Sequence, residues 1–201
     1  MKKIMFNDKY GLTKAVLEGR KTQTRRIAYT GNATIIDCGI CVEPKNIGRA
    51  TLFRGIDEIA HSRYCIGEEV AVAQAYCELV SKVGFNEAEI NKLRNSKGYT
   101  NKMFVRADKM LHRIRITDIR AERLQEISDE DCIAEGIREQ YFYSGEEEPE
   151  FEGYSYYAKN VLKPLFCTPR EAYAALIDQI SGKGTWDSNP YVFVYEFEMI
   201  D

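Results

Sequence analysis

Within Arg20-Lys21-Thr22-Gln23-Thr24-Arg25-Arg26 the chain places four cations and two β-branched threonines in seven residues. Cations spaced along an extended segment suit contact with phosphate oxygens, which positions a nucleic-acid backbone without reading its sequence. Arg113, Arg115, Arg120 and Arg123 extend the same candidate surface. The competing reading makes them scattered solvated charges that balance the 31 acids of the chain. A second constellation is Cys38-x-x-Cys41 with His61-x-x-x-Cys65, whose soft and imidazole ligands have spacings resembling a structural zinc site. Ligand spacing without a known module is a common false positive, so the reading adopted is idle thiols in a variable loop, with no metal and no cofactor.

The bulk numbers bound what can hold these residues. At 201 residues and 44% hydrophobic the chain has the size of one domain with one sizeable core. No apolar run approaches the roughly 18 residues a membrane span needs. Lys2 and Lys3 begin like a secretion signal, but Asp8, Lys9 and Lys14 interrupt any apolar stretch that could follow, so a cytoplasmic protein with no membrane partner is expected. Six cysteines in such a chain read as reduced thiols and not as a disulfide framework. With a net charge of −3, affinity for a polyanion has to come from a local basic patch.

Periodicity then supplies the elements. A short strand is expected at Ile4–Phe6, a helix through Leu12, Ala15, Val16 and Leu17 that stops at Gly19, and an extended segment over 20–27. The stretch 28–62 is punctuated by Gly, Asn and Asp around short β-type runs such as Thr34–Ile36 and Ala50–Phe53. Strands follow at 69–74 and 111–120, with a short helix over Phe85–Leu93 between them. Ser128-Asp129-Glu130-Asp131 opens a helix that runs to Gly136 with Glu135 in its last turn, and Thr168-Pro169-Arg170-Glu171 is a stronger capping box for a helix through Ile180. Tyr191–Ile200 closes the chain as a strand, while 138–166 is acidic and aromatic and resembles an insertion without a conventional element. The sum is an α+β fold whose mixed sheet curls toward a barrel.

Three blocks together resemble the ASCH family: Leu17-Glu18-Gly19-Arg20-Lys21-Thr22-Gln23-Thr24-Arg25-Arg26, then Ile116–Gly136 ending in Ser128-Asp129-Glu130-Asp131-Cys132-Ile133-Ala134-Glu135-Gly136, then Trp186-Asp187-Ser188-Asn189-Pro190-Tyr191-Val192-Phe193-Val194. The likeness spans both ends of the chain and leaves 28–62 and 138–166 as insertions in a single domain over 1–201. ASCH domains are similar to PUA domains, RNA-binding pseudobarrels, and that resemblance implies a PUA-like curled mixed sheet with flanking helices. One departure is Val72-Ala73-Gln74-Ala75-Tyr76, where longer family members tend to carry Val-Arg-Glu and an aromatic.

Some small ASCH proteins are amidohydrolases that deacetylate N(4)-acetylcytidine with a Lys, a Thr and a Glu. The resemblance carries those roles onto Lys21, Thr24 and Glu135, as base, nucleophile and orienting acid. By their own chemistry Arg20, Arg25 and Arg26 are candidate contacts to RNA or a modified nucleoside. Tyr76 and Trp186 could stack on a base, although aromatics near strands more often belong to the core, the reading given more weight for Trp186. Three functions therefore compete: a pocket and basic rim that bind RNA or a modified nucleoside, an amidohydrolase acting on an acylated base, and an accessory protein whose 141–157 stretch docks a partner. In an ideal strand residues three apart point to opposite faces, so Lys21 and Thr24 can meet only if the chain turns between them.

Overall fold

The computed structural model describes residues 1–28, 49–54, 57–82, 84–142, 148, 150–156 and 165–200. The first half of the chain forms β1 (Lys2–Ile4), α1 (Leu12–Leu17), β2 (Gln23–Ile27), β3 (Thr51–Arg54), β4 (Asp57–His61), β5 (Glu69–Val72), α2 (Tyr76–Leu79) and α3 (Glu87–Arg94). The second half forms β6 (Arg113–Arg123), α4 (Asp129–Ala134), β7 (Arg138–Phe142), β8 (Glu150–Ser155), α5 (Pro169–Ser181), α6 (Thr185–Ser188) and β9 (Tyr191–Met199). Among the described residues no helix is long and apolar enough to cross a membrane.

Five strands make one mixed sheet in the order β1-β5-β6-β9-β2, with β1 parallel to β5 and the other neighbours antiparallel. β9 is the spine of the sheet, bonded to β6 on one side and β2 on the other, and Tyr191 to Tyr195 are all buried. A strand covered on both faces reads as a continuous apolar run, which is what this aromatic and β-branched segment is. In β6 the buried side chains are Ile114 and Ile116, then Ile119 and Ala121. The phase changes because the pairing with β9 slips between Ile116 and Asp118, a bulge that lets both halves of a long strand face the same core.

β1 and β2 are the two edges, and no strand pairing among the described residues closes the sheet into a barrel. Four strand spacings would hold these edges about 19 Å apart in a flat sheet. Instead Arg26 on β2 donates Nη2 to the carbonyl of Met5, just after β1, at 2.7 Å, and Phe6 meets Phe197 with ring centroids 5.8 Å apart. The sheet is therefore strongly curled, with a gap between its edges. α1 and α5 cover its concave core through Leu12, Val16, Tyr173 and Leu176, while a satellite cluster of Ala71, Ala73, Tyr76, Leu79, Val105 and Met110 packs separately from this core.

Several sequence expectations shift. The first strand lies at Lys2–Ile4 and not Ile4–Phe6, and Arg138–Phe142 with Glu150–Ser155 make a hairpin where no conventional element was expected. Within 28–62, where the short β-type runs suit hairpins or loops, β3 and β4 form a hairpin, whereas Thr34–Ile36 lies outside the described residues.

α5 begins with a complete capping box: Thr168 accepts from the Glu171 N–H at 3.1 Å, and Glu171 accepts from the Thr168 N–H at 3.3 Å. Thr168→Ala is expected to cost about 1 kcal/mol in urea unfolding.

Candidate functional site

Two helices deliver the chemistry, and both end the same way. After α1, Gly19 takes φ 70°, its N–H bonds Val16 O at 2.9 Å, and the Arg20 N–H bonds Ala15 O at 2.9 Å. After α4, Gly136 takes φ 107°, its N–H bonds Ile133 O at 2.9 Å, and the Ile137 N–H bonds Cys132 O at 3.2 Å. These are Schellman motifs, in which a left-handed glycine reverses the chain and satisfies the last carbonyls. The first turns Lys21 back toward the sheet before β2 begins at Gln23, which frees it from the alternation of the strand. The second leaves Glu135 at the C-cap, one residue beyond the last turn in which it was expected.

The two turns meet. The Thr22 N–H bonds Ala134 O at 3.0 Å, and the Lys21 side chain, 1% exposed, runs inward to Glu135. Lys21 Nζ donates to Glu135 Oε2 at 2.5 Å and to the Glu135 carbonyl at 2.8 Å. The other carboxylate oxygen, Oε1, accepts from the Arg25 N–H at 2.6 Å. That N–H lies on the outer side of an edge strand and would otherwise be buried without a partner.

Lys21, Thr24 and Glu135, 114 positions apart at their extremes, line one cavity of about 520 Å³ together with Phe6, Tyr173 and Leu176. Its size falls in the range of small-molecule sites, roughly 300–1,000 Å³. Thr24 is buried, yet no hydrogen bond among the described residues engages its hydroxyl, including none to Lys21. Burial pushes the Lys21 ammonium below the ordinary lysine value; Glu135 opposes this, and Arg26 and Arg25 add to it. Burial holds the Tyr173 phenol well above the ordinary tyrosine value, with Glu135 adding to the effect, so it remains a proton donor. Burial likewise pushes the Cys132 thiol up to about 12, which removes it as a nucleophile.

The remaining candidates scatter. Arg25 is enclosed: its guanidinium meets Gln23 Oε1 and Asp131 Oδ2 at 2.5 Å each and Glu122 Oε1 at 2.6 Å, so it is not available to a phosphate. Arg120 shares that network through Glu122, Asp131 and Glu196. Arg20 is tied to Glu18 at 2.5 Å, and Arg115 pairs with Glu69 and Glu198. Arg123 stacks on Tyr191 with its guanidinium carbon 3.8 Å from the ring centre. Tyr76 is buried in the satellite cluster with its hydroxyl accepting from the Arg106 N–H at 2.9 Å, and Trp186 packs edge-on against Tyr173, so neither offers a face to a base in the cavity. Of the five proposed contacts, Arg25 and Arg26 line the cavity, and Arg26 is the one exposed at its rim.

For the zinc alternative, Cys38 and Cys41 lie outside the described residues. His61 Nδ1 is 3.1 Å from Thr51 Oγ1, and Cys65 accepts from Arg49 Nε at 3.4 Å. No group of three or more metal-ligating side chains occurs among the described residues. Tyr173 was not foreseen. Its place on the stripe Tyr173, Leu176, Ile177, Ile180 marks a buried helix face, but nothing in that stripe distinguishes a phenol that lines a cavity from one that fills a core.

Removing one partner of a buried ion pair leaves the other charge stranded, at a cost of about 3–5 kcal/mol. Lys21→Met and Glu135→Leu are each expected to lose that much in denaturant unfolding, and the double variant much less than the sum. The two caps differ as well. The φ of Gly19 lies where Asn is tolerated and that of Gly136 lies beyond it, so Gly19→Asn should be nearly neutral while Gly136→Asn costs about 1–2 kcal/mol.

Comparison of the chain with protein-family models, with curated proteins and with solved structures gave no match.

Proposed function

We propose that this chain is a PUA-like domain of the ASCH kind whose cavity binds a modified nucleoside, free or within RNA. The observation that carries the reading is the convergence of Lys21, Thr24 and Glu135 on one cavity. The cavity offers groups that suit a nucleobase: the ring of Phe6, the donor hydroxyl of Tyr173 and the unengaged hydroxyl of Thr24. An ammonium has three N–H donors, and the protein provides Lys21 with two acceptors among the described residues, leaving one for a ligand.

A second reading is favoured by one further observation: a lysine whose pKa is lowered by burial and an unengaged threonine hydroxyl share that cavity. Such a pair suits amide hydrolysis of an acylated base. Thr24 Oγ1 would attack the acyl carbon while its proton passes to the neutral Lys21 amine, directly or through one water. The C–N bond then breaks, the proton goes to the leaving amine, and water cleaves the acyl-threonine to release a carboxylate. Glu135 holds the Lys21 amine in place throughout.

Thr24→Val separates these readings from a merely structural threonine, because it removes a hydroxyl the fold does not use. Its unfolding free energy should stay within about 0.5 kcal/mol of the parent chain. Binding of N(4)-acetylcytidine, measured by titration calorimetry, should weaken about fivefold; unchanged affinity would remove the cavity from the binding site. If cytidine and acetate are released, the rate should rise with pH as Lys21 loses its proton. Burial places that limb below the pH expected of a solvated lysine. Lys21→Arg should abolish it.

A further inference from the structure

A second cavity of about 320 Å³ opens in the gap between the curled edges of the sheet. Met5, Arg26 and Ile27 line both it and the first cavity, so the two are contiguous. Its cationic lining residues are Lys3, Arg26 and Arg63, with His61 beside them, and no carboxylate lines it among the described residues. Glu68, whose charge reaches the Tyr64 ring in its wall, already accepts from Lys2 at 2.9 Å and from the Cys65 N–H at 3.0 Å.

The arginines here differ from those on the α4 side of β2. Arg25 and Arg120 are each enclosed by carboxylates. Arg26 and Arg63 have no carboxylate within ion-pair distance among the described residues. Arg26 spends one N–H on the Met5 carbonyl and lies 5.8 Å from the Phe6 ring, so the rest of its donor fork is unused. Arg63 is anchored by its backbone, whose N–H bonds the Tyr195 hydroxyl at 2.8 Å, while its guanidinium carbon lies 5.8 Å from the Tyr64 ring. Burial raises the Tyr64 phenol and both Arg63 and Arg26 pull it back, which places the two charges around one ring. Lys3 adds charge, and its ammonium, which donates to the carbonyls of Met103 at 2.6 Å and Val105 at 2.5 Å, keeps one N–H beyond these two acceptors. Two like charges facing one concave space, with no carboxylate in its lining among the described residues, repel each other unless an anion sits between them, and a guanidinium fork matches phosphate geometry.

We propose that this second cavity is a phosphate subsite formed by Arg26 and Arg63, so that the ligand of the first cavity is a phosphorylated nucleoside, either a mononucleotide or a residue within an RNA strand. The assignment of the first cavity to a nucleoside rests on the reading above; the phosphate subsite rests on the charges of the second.

The test uses the full chain, with N(4)-acetylcytidine, its 5′-monophosphate and a short single-stranded RNA carrying the same base as probes, and with Arg63→Ala and Arg63→Lys as variants. Arg63 is exposed and outside the first cavity, so both variants should melt at the parent temperature. The parent chain is expected to bind at least one phosphorylated probe about tenfold more tightly than the nucleoside at low salt, from charge-assisted hydrogen bonds to one phosphate. Arg63→Ala should erase that gain and leave nucleoside binding unchanged, and Arg63→Lys should keep part of it. A gain with the monophosphate assigns the subsite to a nucleotide; a gain with the RNA alone assigns it to a strand. Equal binding of all three probes by the parent chain, or an equal loss for all three in Arg63→Ala, overturns the phosphate subsite while leaving nucleoside binding intact. RNA binding that depends on Arg63 without any nucleoside binding upholds the subsite and overturns the nucleoside reading. No binding of any probe overturns both.

Discussion

The buried pair of Lys21 and Glu135 is the interaction on which the rest of the site depends. Taking an ammonium and a carboxylate out of water costs several kcal/mol per ion, and mutual attraction offsets this only where every donor and acceptor is well placed. Here the carboxylate is saturated from two directions, by Lys21 on one oxygen and the Arg25 N–H on the other. The same contacts fasten the end of α4 to β2, which is an edge strand among the described residues. A well-packed apolar pair would hold the two segments as firmly at less desolvation cost. Retaining the charged pair makes sense where a ligand uses it, and the adjoining cavity provides the space.

Positioning the pair is a backbone problem solved twice by glycine. Side chains at the ends of two short helices can meet only if both chains reverse within a residue or two, and the left-handed conformation at Gly19 and Gly136 does that without a Cβ clash. At Gly136 the demand is torsional: a Cβ there would meet Leu12 at 3.4 Å and the Lys21 stem at 3.8 Å, which are ordinary contact distances, but φ 107° is a conformation that side-chain-bearing residues rarely adopt.

What could be read from the sequence followed from local rules. The strands of the main sheet other than β1, the glycine stop after α1, and the caps at Ser128 and Thr168 are set by periodicity or by a side chain bonding a nearby N–H, and both act within a few residues. The features that escaped are set at long range. The bulge in β6 exists because a curled sheet must turn a long strand's two halves to one core, and nothing in Ile116-Thr117-Asp118 announces it. The hairpin of Arg138–Phe142 and Glu150–Ser155 looked polar and irregular because, among the described residues, its strands pair only with each other, apart from a bridge between Tyr154 and Phe166, and stand outside the main sheet. The convergence of Lys21, Thr24 and Glu135 came from resemblance; spacing alone cannot bring together residues 114 apart.

Arg25 and Arg26 show how sharply the fold divides what composition merges. They are neighbours with the same side chain, and as part of one basic run they read as one surface. Strand alternation sends them to opposite sides. On the side of Gln23 and Arg25 the sheet presents Glu122 from β6 and Asp131 from α4, so a guanidinium there becomes a structural tie between three elements. On the side of Thr24 and Arg26 the sheet curls around open space, so a guanidinium there stands at the mouth of two cavities with donors to spare. In a chain of net charge −3, the cations able to meet an anion are therefore those the fold keeps away from its own acids. By that measure the basic run contributes one arginine, and its partner, Arg63, comes from the segment between β4 and β5.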